Sequence, residues 1–282
     1  MTEEWRLIDS GLCDAFYNMA LDEAIATEVR RGAVPPTLRL YGWGRPSLTL
    51  GCFQKASDID IEYCQSQDIP VVRRPTGGRA ILHGDELTYS FSAKTDRAPF
   101  SHGLLDSYRS ISIAFSLAFK KIGLAAELKK VREKGRMLSG SPLCFHSSSF
   151  GEILVDKKKL VGSAQKRWNN GLLQQGSIPY LCEKEKLQGI FGAEKTASLR
   201  DCMKALKDAL PLLDEDAFRK TVASSFEETF AIRLLLSVPS QEESLLAEGL
   251  LHQKYLQSHW NFRQLPEQNQ PVPESQQKPL VS

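Results

Sequence analysis

The chain has 282 residues, of which 41% are hydrophobic and 25% are charged, as in an ordinary globular protein. Its 36 Lys and Arg residues nearly balance its 34 Asp and Glu residues, and a formal net charge of +2 argues against a protein that coats nucleic acid. No apolar run approaches the roughly 18 residues of a transmembrane helix, and the first residues are acidic where a secretory signal is basic and then apolar. We therefore expect a cytoplasmic protein that acts on neither nucleic acid nor membranes.

The six cysteines are scattered along the chain. They form no C-x-x-C pair and have no histidine at zinc-finger spacing, so no metal site is predicted. In a reducing compartment they are expected to be free thiols. A free cysteine is most often a small buried hydrophobic residue, and a reactive one needs a further argument.

Hydrophobic periodicity predicts a helix and then mainly strands in the first third of the chain. Residues 5–9 have the pattern of a strand, and residues 16–31 that of a helix with one apolar face, capped by Asp14 or Asn18. The period then shortens to two, and a short helix at 59–66 interrupts the pattern. The predicted strands of this region are 37–41, 47–50, 71–74, 79–83 and 86–93.

Beyond these strands the chain is predicted to be mainly helical. A broad apolar stripe predicts a long helix over 104–122, followed by two strands at 152–155 and 160–162. Ser240 with Glu243 forms a capping box that begins a last helix. A further helix is indicated by apolar residues that recur every four positions, namely Phe218, Val222, Phe226 and Phe230.

The order of these elements predicts the α+β class, with a mixed β-sheet flanked by helices. Residues 1–262 are expected to form one domain with a helical C-terminal part. Residues 263–282 hold many Gln and Pro residues and almost no apolar ones. Such a segment cannot offset the entropy of ordering itself, so a disordered polar tail is predicted.

The run from Arg73 to Phe91 is the most informative part of the sequence. Gly77 and Gly78 lie between two strand-like runs, where the lack of Cβ atoms lets another group approach the backbone closely. Basic side chains on both sides could receive an acidic or phosphate-bearing ligand. On spacing alone, a Gly-Gly hairpin turn with solvated arginines remains an equal alternative. The run is neither a Walker motif nor a dinucleotide fingerprint, because Gly-Lys-Ser/Thr is missing and no helix follows.

This run resembles the arginine-arginine, Gly-Gly, histidine motif of the lipoate–protein ligase and octanoyltransferase superfamily. The resemblance covers about residues 5–262 and includes the segments Asn18 to Glu23, Pro46 to Gly51 with Gln54, and Lys159 to Gln165. It implies a lipoate/biotin protein ligase-like catalytic domain, with a tunnel for a medium-length acyl chain. The implied substrate-binding residues are Arg73, Arg74, Thr76, Gly77, Gly78, Arg79, Ala80 and His83. The glycine- and arginine-rich loop of biotin ligases is absent, which argues against biotin.

Two further segments separate the chemistries of this superfamily. ATP-dependent lipoate ligases carry an Asn-Asp pair before the strand that leads to their lysine, and residues 150–153 here contain none. Residues 142–145 instead resemble the Cys-Phe segment of the cysteine-dependent octanoyltransferases. The resemblance implies that Cys144 carries the acyl group as a thioester. It also implies that Lys159, fifteen residues further on, lowers the pKa of that thiol.

Elementary chemistry agrees with this assignment. A thioester is already activated, so its acyl group can pass to a lysine without ATP, and a cysteine intermediate divides the transfer into two displacements. A free thiol has a pKa of about 8.5, and a nearby ammonium stabilises the thiolate. We choose Lys159 over Lys157 and Lys158 because it abuts the following strand, where a side chain can point inward. His146 is the alternative base, and a buried structural thiol is the alternative role of Cys144.

We therefore expect an octanoyl-[acyl-carrier-protein]:protein N-octanoyltransferase that uses no cofactor. Its donor would be octanoyl-acyl carrier protein, and its acceptor a lysine of a lipoyl domain such as the glycine-cleavage H protein. Three alternatives stay open: an octanoyl-[H protein]:protein amidotransferase, an ATP-dependent lipoate–protein ligase, and a non-enzymatic carrier-binding protein. An acidic carrier protein could be steered by a basic run that otherwise reads as a solvated face, namely Lys120, Lys121, Lys129, Lys130, Arg132, Lys134 and Arg136.

Overall fold

A computed structural model describes residues 2–129, 152–197 and 203–263. The strands are β1 (Glu3–Cys13), β2 (Thr37–Trp43), β3 (Ser47–Leu50), β4 (Val71–Arg73), β5 (Ile81–His83), β6 (Glu86–Ala93), β7 (Glu127–Leu128), β8 (Ile153–Val155), β9 (Lys158–Lys159), β10 (Gly162–Trp168), β11 (Gly171–Pro179) and β12 (Ile232–Ser237). The helices are α1 (Ala15–Arg31), α2 (Ile61–Ser66), α3 (Leu104–Lys121), α4 (Lys184–Phe191), α5 (Ala193–Thr196), α6 (Leu206–Ala209), α7 (Glu215–Phe230), α8 (Gln241–Leu250) and α9 (Ser258–Asn261). None of the helices in these ranges is long and apolar enough to cross a membrane.

The main sheet has six strands in the order β10-β11-β6-β2-β1-β12. Strand β1 pairs in parallel with β2 and β12, and the remaining pairs are antiparallel. Side chains of α3 and α7 form an apolar core with one face of the sheet, and side chains of α1 and α8 form another with the opposite face. The predicted mixed sheet flanked by helices is therefore confirmed.

A smaller sheet positions the glycine motif. It has the order β4-β3-β5, with β3 parallel to β4 and antiparallel to β5. Its apolar side chains pack against α2 and α4 in a separate core cluster. Since β4 ends at Arg73 and β5 begins at Ile81, the motif is the connection between two strands of this sheet.

Local signals set both ends of α1. The Asp14 carboxylate accepts hydrogen bonds from the backbone N–H groups of Phe16 and Tyr17, at 2.8 and 3.3 Å. This identifies Asp14 as the N-cap among the two predicted candidates. Asn18 lies inside the helix and donates to the carbonyl of Gly42 at 3.1 Å. The helix stops at Gly32, whose φ of 77° is the left-handed conformation that glycine adopts at low cost.

The prediction of a mainly helical chain after residue 162 is wrong for three strands. Strands β10 and β11 form one side of the main sheet, and β12 forms its other edge. Strand β11 is buried along its whole length although it contains Gln174, Gln175 and Ser177. Those side chains are hydrogen-bonded inside the protein, so the alternation of apolar and polar residues that marks a half-buried strand is missing.

The C-terminal helices agree better with their sequence signals. Helix α7 buries Phe218, Val222 and Phe226 on one face, as their spacing predicts. The predicted capping box is confirmed, because Ser240 Oγ accepts the Glu243 N–H at 3.1 Å and Glu243 accepts the Ser240 N–H at 2.7 Å. The predicted tail from residue 264 onward lies outside the described residues.

Candidate active site

A cavity lies between α1, the main sheet and the small sheet. It is half open, and the space between its atoms, counted together with the solvent at its mouth, is about 290 Å³. Its apolar lining comes from Met19, Tyr41, Trp43, Ile81, Gly162, Ala164 and Gly176, and its polar lining from Thr49, Arg74, His83, Thr88, Gln175 and Ser177. A mostly apolar pocket with a few placed polar groups is typical of a small-molecule site.

Close contact between two loops explains Gly51 and Gly78, whereas a Cβ atom on Gly77 would meet no atom within 4 Å. A Cβ atom on Gly51 would lie 1.9 Å from the carbonyl oxygen of Gly78, so no side chain fits there. The Cys52 N–H donates to the Thr76 carbonyl at 2.8 Å and holds the same two loops together. Gly78 also has a φ of 86°, which favours glycine. The group that approaches the motif backbone is therefore the protein's own Gly51 loop.

Arg74 braces the motif from inside and lines the cavity. Its guanidinium donates to the carbonyls of Gly77 at 2.7 Å and Arg79 at 2.8 Å, and to the Thr49 hydroxyl at 3.1 Å. The side chain is almost fully buried. Arg74 thus fixes the curvature of the loop, and its charge is distributed over backbone carbonyls.

Arg73 is directed to a different part of the protein. It donates to the carbonyls of Gly51 at 2.7 Å, Gln54 at 2.6 Å and Trp260 at 3.0 Å. Burial lowers the pKa of Arg73 from its usual value. Its guanidinium therefore ties the Gly51 loop to the C-terminal segment, whereas Arg74 and His83 are the predicted binding residues that line the cavity.

The other predicted binding residues surround the loop without lining the cavity. Ala80 is buried in the core of the small sheet, and Thr76 is buried behind the wall. Gly77 and Arg79 are partly exposed and offer their carbonyls to Arg74. The motif is thus mainly a scaffold for the cavity wall.

His83 is held on three sides. Its Nδ1 lies 2.8 Å from Glu86 Oε1, and its Nε2 lies 2.8 Å from Thr49 Oγ1. Its ring stacks on Trp43, with ring centroids 4.0 Å apart. A carboxylate only accepts hydrogen bonds, so in the neutral ring Nδ1 donates to Glu86 and Nε2 accepts from Thr49. The ring is fixed by these contacts and presents a flat surface to the cavity.

Asp22 organises a buried polar cluster at another part of the wall. Its carboxylate accepts hydrogen bonds at 2.6–2.8 Å from four side chains, namely Arg39, Tyr41, Ser90 and Gln175. We call these five residues the Asp22 cluster. Burial, reinforced by the adjacent Asp22 carboxylate, raises the pKa of Tyr41 well above its usual range.

Lys159 is buried beside a carboxylate. Its Nζ lies 2.6 Å from Glu152 Oε1, and the two side chains are only 3% and 5% exposed. Lys157 is exposed in the turn between β8 and β9, and Lys158 is half-buried. Of the three consecutive lysines, the third is thus the one that points inward.

Cys144 and the alternative base His146 lie outside the described residues, as do Lys130 to Arg136 of the basic run. The positions that flank residues 130–151 are described. Leu128 pairs with Ile153, and the Lys129 N–H donates to the Glu152 carbonyl at 2.9 Å. The segment that carries Cys144 therefore leaves and re-enters the described structure beside Glu152, the residue that holds Lys159.

Of the residues that line the cavity, sequence reasoning assigned only Arg74 and His83 to substrate binding, although Met19, Thr49, Gly162 and Ala164 lie in the segments that carry the resemblance. Asp22 had a usable signal, because a charged residue on the apolar side of a helix must find a buried partner. Gln175 and Glu86 had none, since each lies in a strand whose pairing the sequence alone does not reveal.

Comparison with known proteins agrees with this geometry. The model of the lipoyl protein ligase A/B catalytic domain matches residues 14–227. The octanoyltransferase LipM of Kyrpidia tusciae is 37% identical over 279 residues, which cover 93% of this chain and 99% of that protein. The octanoyltransferase LipM of Halalkalibacterium halodurans is 34% identical over 274 residues, with the same coverage of 93% and 99%.

Among solved structures, the bipartite lipoate protein ligase of Thermoplasma acidophilum superposes with a TM-score of 0.77 at 22% identity. That match covers 95% of this chain and 99% of the other, so the two proteins share their fold. The chain therefore belongs to the lipoyl protein ligase A/B catalytic-domain family and, within it, to the octanoyltransferase LipM family.

Proposed function

We propose that the chain is an octanoyltransferase that moves an octanoyl group from octanoyl-acyl carrier protein to a lysine of a lipoyl domain, with Cys144 as the acyl carrier. The observation that carries the proposal is the buried Lys159–Glu152 pair, which lies where the Cys144 segment meets the described structure. The similarity to LipM octanoyltransferases supports the acyl group, and the cavity supplies a place for it. Reducing conditions in the cytoplasm would keep Cys144 a free thiol.

In the first displacement, the Cys144 thiolate attacks the carbonyl carbon of the donor thioester. The bond between that carbon and the carrier's sulfur breaks, and the carrier thiolate takes up the proton that Cys144 released. The Lys159 ammonium stabilises the Cys144 thiolate and then the oxyanion of the tetrahedral intermediate. Glu152 holds Lys159 in place through a hydrogen bond of 2.6 Å.

In the second displacement, the acceptor lysine attacks as a neutral amine. A bond forms between its nitrogen and the acyl carbon, the bond to the Cys144 sulfur breaks, and the amine proton passes to the Cys144 thiolate. The enzyme returns to its starting state, and no ATP is consumed, because the thioester supplies the driving force. We take the glycine-cleavage H protein as the first acceptor to test.

Arg74, His83 and the loop from Thr76 to Gly78 serve the acyl group in this proposal. Arg74 and His83 belong to the polar part of the cavity lining, and the loop supports it from behind. The His83 ring forms its described hydrogen bonds with Glu86 and Thr49, and Arg74 forms its described ones with Thr49 and the loop carbonyls. An acyl chain in the cavity would meet ring faces and methyl groups instead of exposed charge. Its burial would supply binding energy of about 0.8 kcal/mol per methylene group.

Intact mass spectrometry after mixing the protein with octanoyl-acyl carrier protein, in the absence of ATP, tests the proposal. We expect one octanoyl adduct on the enzyme, its loss in Cys144→Ser, and its retention in Cys64→Ser, where a different buried thiol is replaced. Adding the H protein should transfer the adduct to that protein. An adduct that survives in Cys144→Ser would overturn the acyl-enzyme mechanism.

Two other outcomes identify the alternatives. Acceptance of octanoyl only from octanoyl-H protein would indicate the amidotransferase. Formation of product only with ATP and a free acid would indicate a lipoate ligase.

A further inference from the structure

The cavity ends at a definite position along the main sheet. Strand register aligns residues in rows across β10, β11, β6 and β2, and every second row belongs to the same face of the sheet. Only rows on the face toward α1 are counted. The first row is Gly162, Ser177, Thr88 and Tyr41, and all four line the cavity. The second row is Ala164, Gln175, Ser90 and Arg39, of which Ala164 and Gln175 line it.

Asp22 is the reason why the cavity stops at the second row. From α1 it reaches the sheet and accepts hydrogen bonds from Arg39 on β2, Ser90 on β6 and Gln175 on β11. All these side chains are buried, and Asp22 and Arg39 have no exposed surface. The space that the first row leaves open is thus filled, one row further on, by the Asp22 cluster.

Two members of this cluster line the cavity, Tyr41 in the first row and Gln175 in the second. The Gln175 Nε2 donates to Asp22 Oδ2 at 2.7 Å and contacts the Met19 sulfur at 3.5 Å. Its Oε1 accepts the Thr76 hydroxyl at 2.8 Å. The orientation of the amide is therefore fixed at both ends, and Gln175 links the Asp22 cluster to the loop that contains Gly77 and Gly78.

We propose that Gln175, oriented by Asp22 and Thr76, is the floor of the acyl-binding cavity and limits the length of the acyl chain. The inference rests on the proposed function in assigning an acyl group to this cavity. A longer chain would have to displace the Gln175 side chain, which would leave its buried amide without partners and the Asp22 carboxylate without one of its four donors. Because such groups are costly to leave unpaired, the floor rejects extra methylene groups more strongly than an apolar wall would.

The test compares Gln175→Ala with Gln174→Ala. Gln174 is the neighbouring glutamine on the same strand and is fully buried, but it points to the other face and bonds to Tyr89 and Gln165. We expect Gln175→Ala to raise the ratio of kcat/KM for decanoyl- over octanoyl-carrier protein by roughly tenfold, the effect of one or two methylene groups in a pocket. Gln174→Ala should leave that ratio at the wild-type value, whatever it does to thermal stability.

Thr76 provides a second test that removes no cavity-lining atom. Thr76→Val deletes the hydroxyl that holds the Gln175 amide and should shift the length preference in the same direction, by less. Thr76→Ser keeps the hydroxyl and should restore the wild-type preference. An unchanged ratio in both Gln175→Ala and Thr76→Val would overturn the inference.

Binding of free fatty acids separates this inference from the proposed function. Octanoic, decanoic and dodecanoic acid can be titrated against tryptophan fluorescence, since Trp43 lines the cavity. We expect wild-type binding to fall beyond eight to ten carbons and Gln175→Ala to tolerate about two more. Binding with this pattern but no transfer would reject the proposed function and keep the inference. Transfer with an unchanged length preference in Gln175→Ala would keep the proposed function and reject the inference.

Discussion

The Asp22 cluster and the Lys159–Glu152 pair are both buried and ionic, but they join different parts of the fold. Asp22 connects α1 to three strands of the main sheet through four short hydrogen bonds. Lys159 ends β9 of a separate three-stranded sheet, and Glu152 directly precedes β8 of the same sheet, next to the segment that carries Cys144. We expect the Asp22 cluster, which joins a helix to three strands, to contribute mainly to the stability of the fold. We expect the Lys159–Glu152 pair, which belongs to a small sheet, to contribute to catalysis as well.

Asp22→Ala should cause the largest change, because it breaks a buried ion pair and leaves the Arg39 charge without its carboxylate. Removing one member of such a pair typically costs about 3–5 kcal/mol of the free energy of unfolding. Urea unfolding measures this loss. The control is Glu228→Ala, which removes an exposed partner of Lys121 and should cost less than about 1 kcal/mol. Equal losses in the two variants would contradict the structural role of Asp22.

Lys159→Ala should lower the rate of transfer, and because it leaves the buried Glu152 carboxylate without this cation, it should also lower the free energy of unfolding. Its kinetics are therefore measured under conditions in which the variant is folded. Loss of an oxyanion partner typically lowers kcat by about 10²–10³, or roughly 3–4 kcal/mol in the barrier. The pKa of Cys144 should also rise toward about 8.5, so alkylation of its peptide by iodoacetamide should slow at neutral pH and recover at alkaline pH. Transfer should recover less than alkylation, because the oxyanion still lacks its positive partner.

Lys157→Ala is the matched control for Lys159→Ala, since Lys157 is exposed in the same hairpin. In Lys157→Ala, the pH dependence of Cys144 alkylation and the kcat of transfer should equal those of the wild type. An unchanged Cys144 pKa in Lys159→Ala would remove this lysine from the role and make His146 the next candidate.

The alkaline limit of stability offers a third test, on the opposite face of the sheet from the Asp22 cluster. Burial raises the pKa of Tyr89 to about 12, although hydrogen bonds with Ser163 and Gln174 lower it in part. Because the folded state holds the proton more tightly than the unfolded state, this contribution is complete below about pH 10 and is lost as the pH rises toward 12. Its size is on the order of 2–3 kcal/mol.

Between pH 9 and 12, the free energy of unfolding should therefore fall more steeply for the wild type than for Tyr89→Phe, because phenylalanine has no proton to lose. Parallel curves would show that Tyr89 does not set this limit. Tyr89 lies in the same strand as Ser90 of the Asp22 cluster but on the other face of the sheet. The two faces can therefore be compared, since one buries an ion pair and the other a neutral phenol.

The smallest expected effect concerns three residues of the basic run, Lys129, Lys130 and Arg132. Charge reversal at Lys129, Lys130 and Arg132 should raise KM for a carrier-protein donor about threefold and leave KM for a small thioester unchanged, because rim charges mainly steer association. The difference should shrink at high salt. Lys220→Glu, on the exposed side of α7, is the control. Equal changes in KM for both donors would identify the run as a solvated face.

Local signals were sufficient where neighbouring residues decide the structure. The Ser240 and Glu243 capping box and the strand at residues 86–93 follow from short patterns, and the structure contains both. The same kind of pattern reduced the N-cap of α1 to Asp14 or Asn18, and the structure shows Asp14. The inward direction of Lys159 also followed from its place next to a strand. These features depend on contacts within a few residues, which the order of amino acids specifies directly.

The cavity depended on pairing between distant strands, and the sequence alone did not reveal it. Strand β11 was missed because its glutamines are buried and satisfied by Asp22, Thr76 and Tyr89, which lie 85 to 153 residues away. The role of Gln175 could not be predicted for the same reason, because its partners are far away along the sequence. The sequence determined the family motif and the candidate nucleophile. Only the tertiary structure decided that Arg73 braces a loop while Arg74 lines the cavity, because the direction of a side chain depends on which strand lies opposite it.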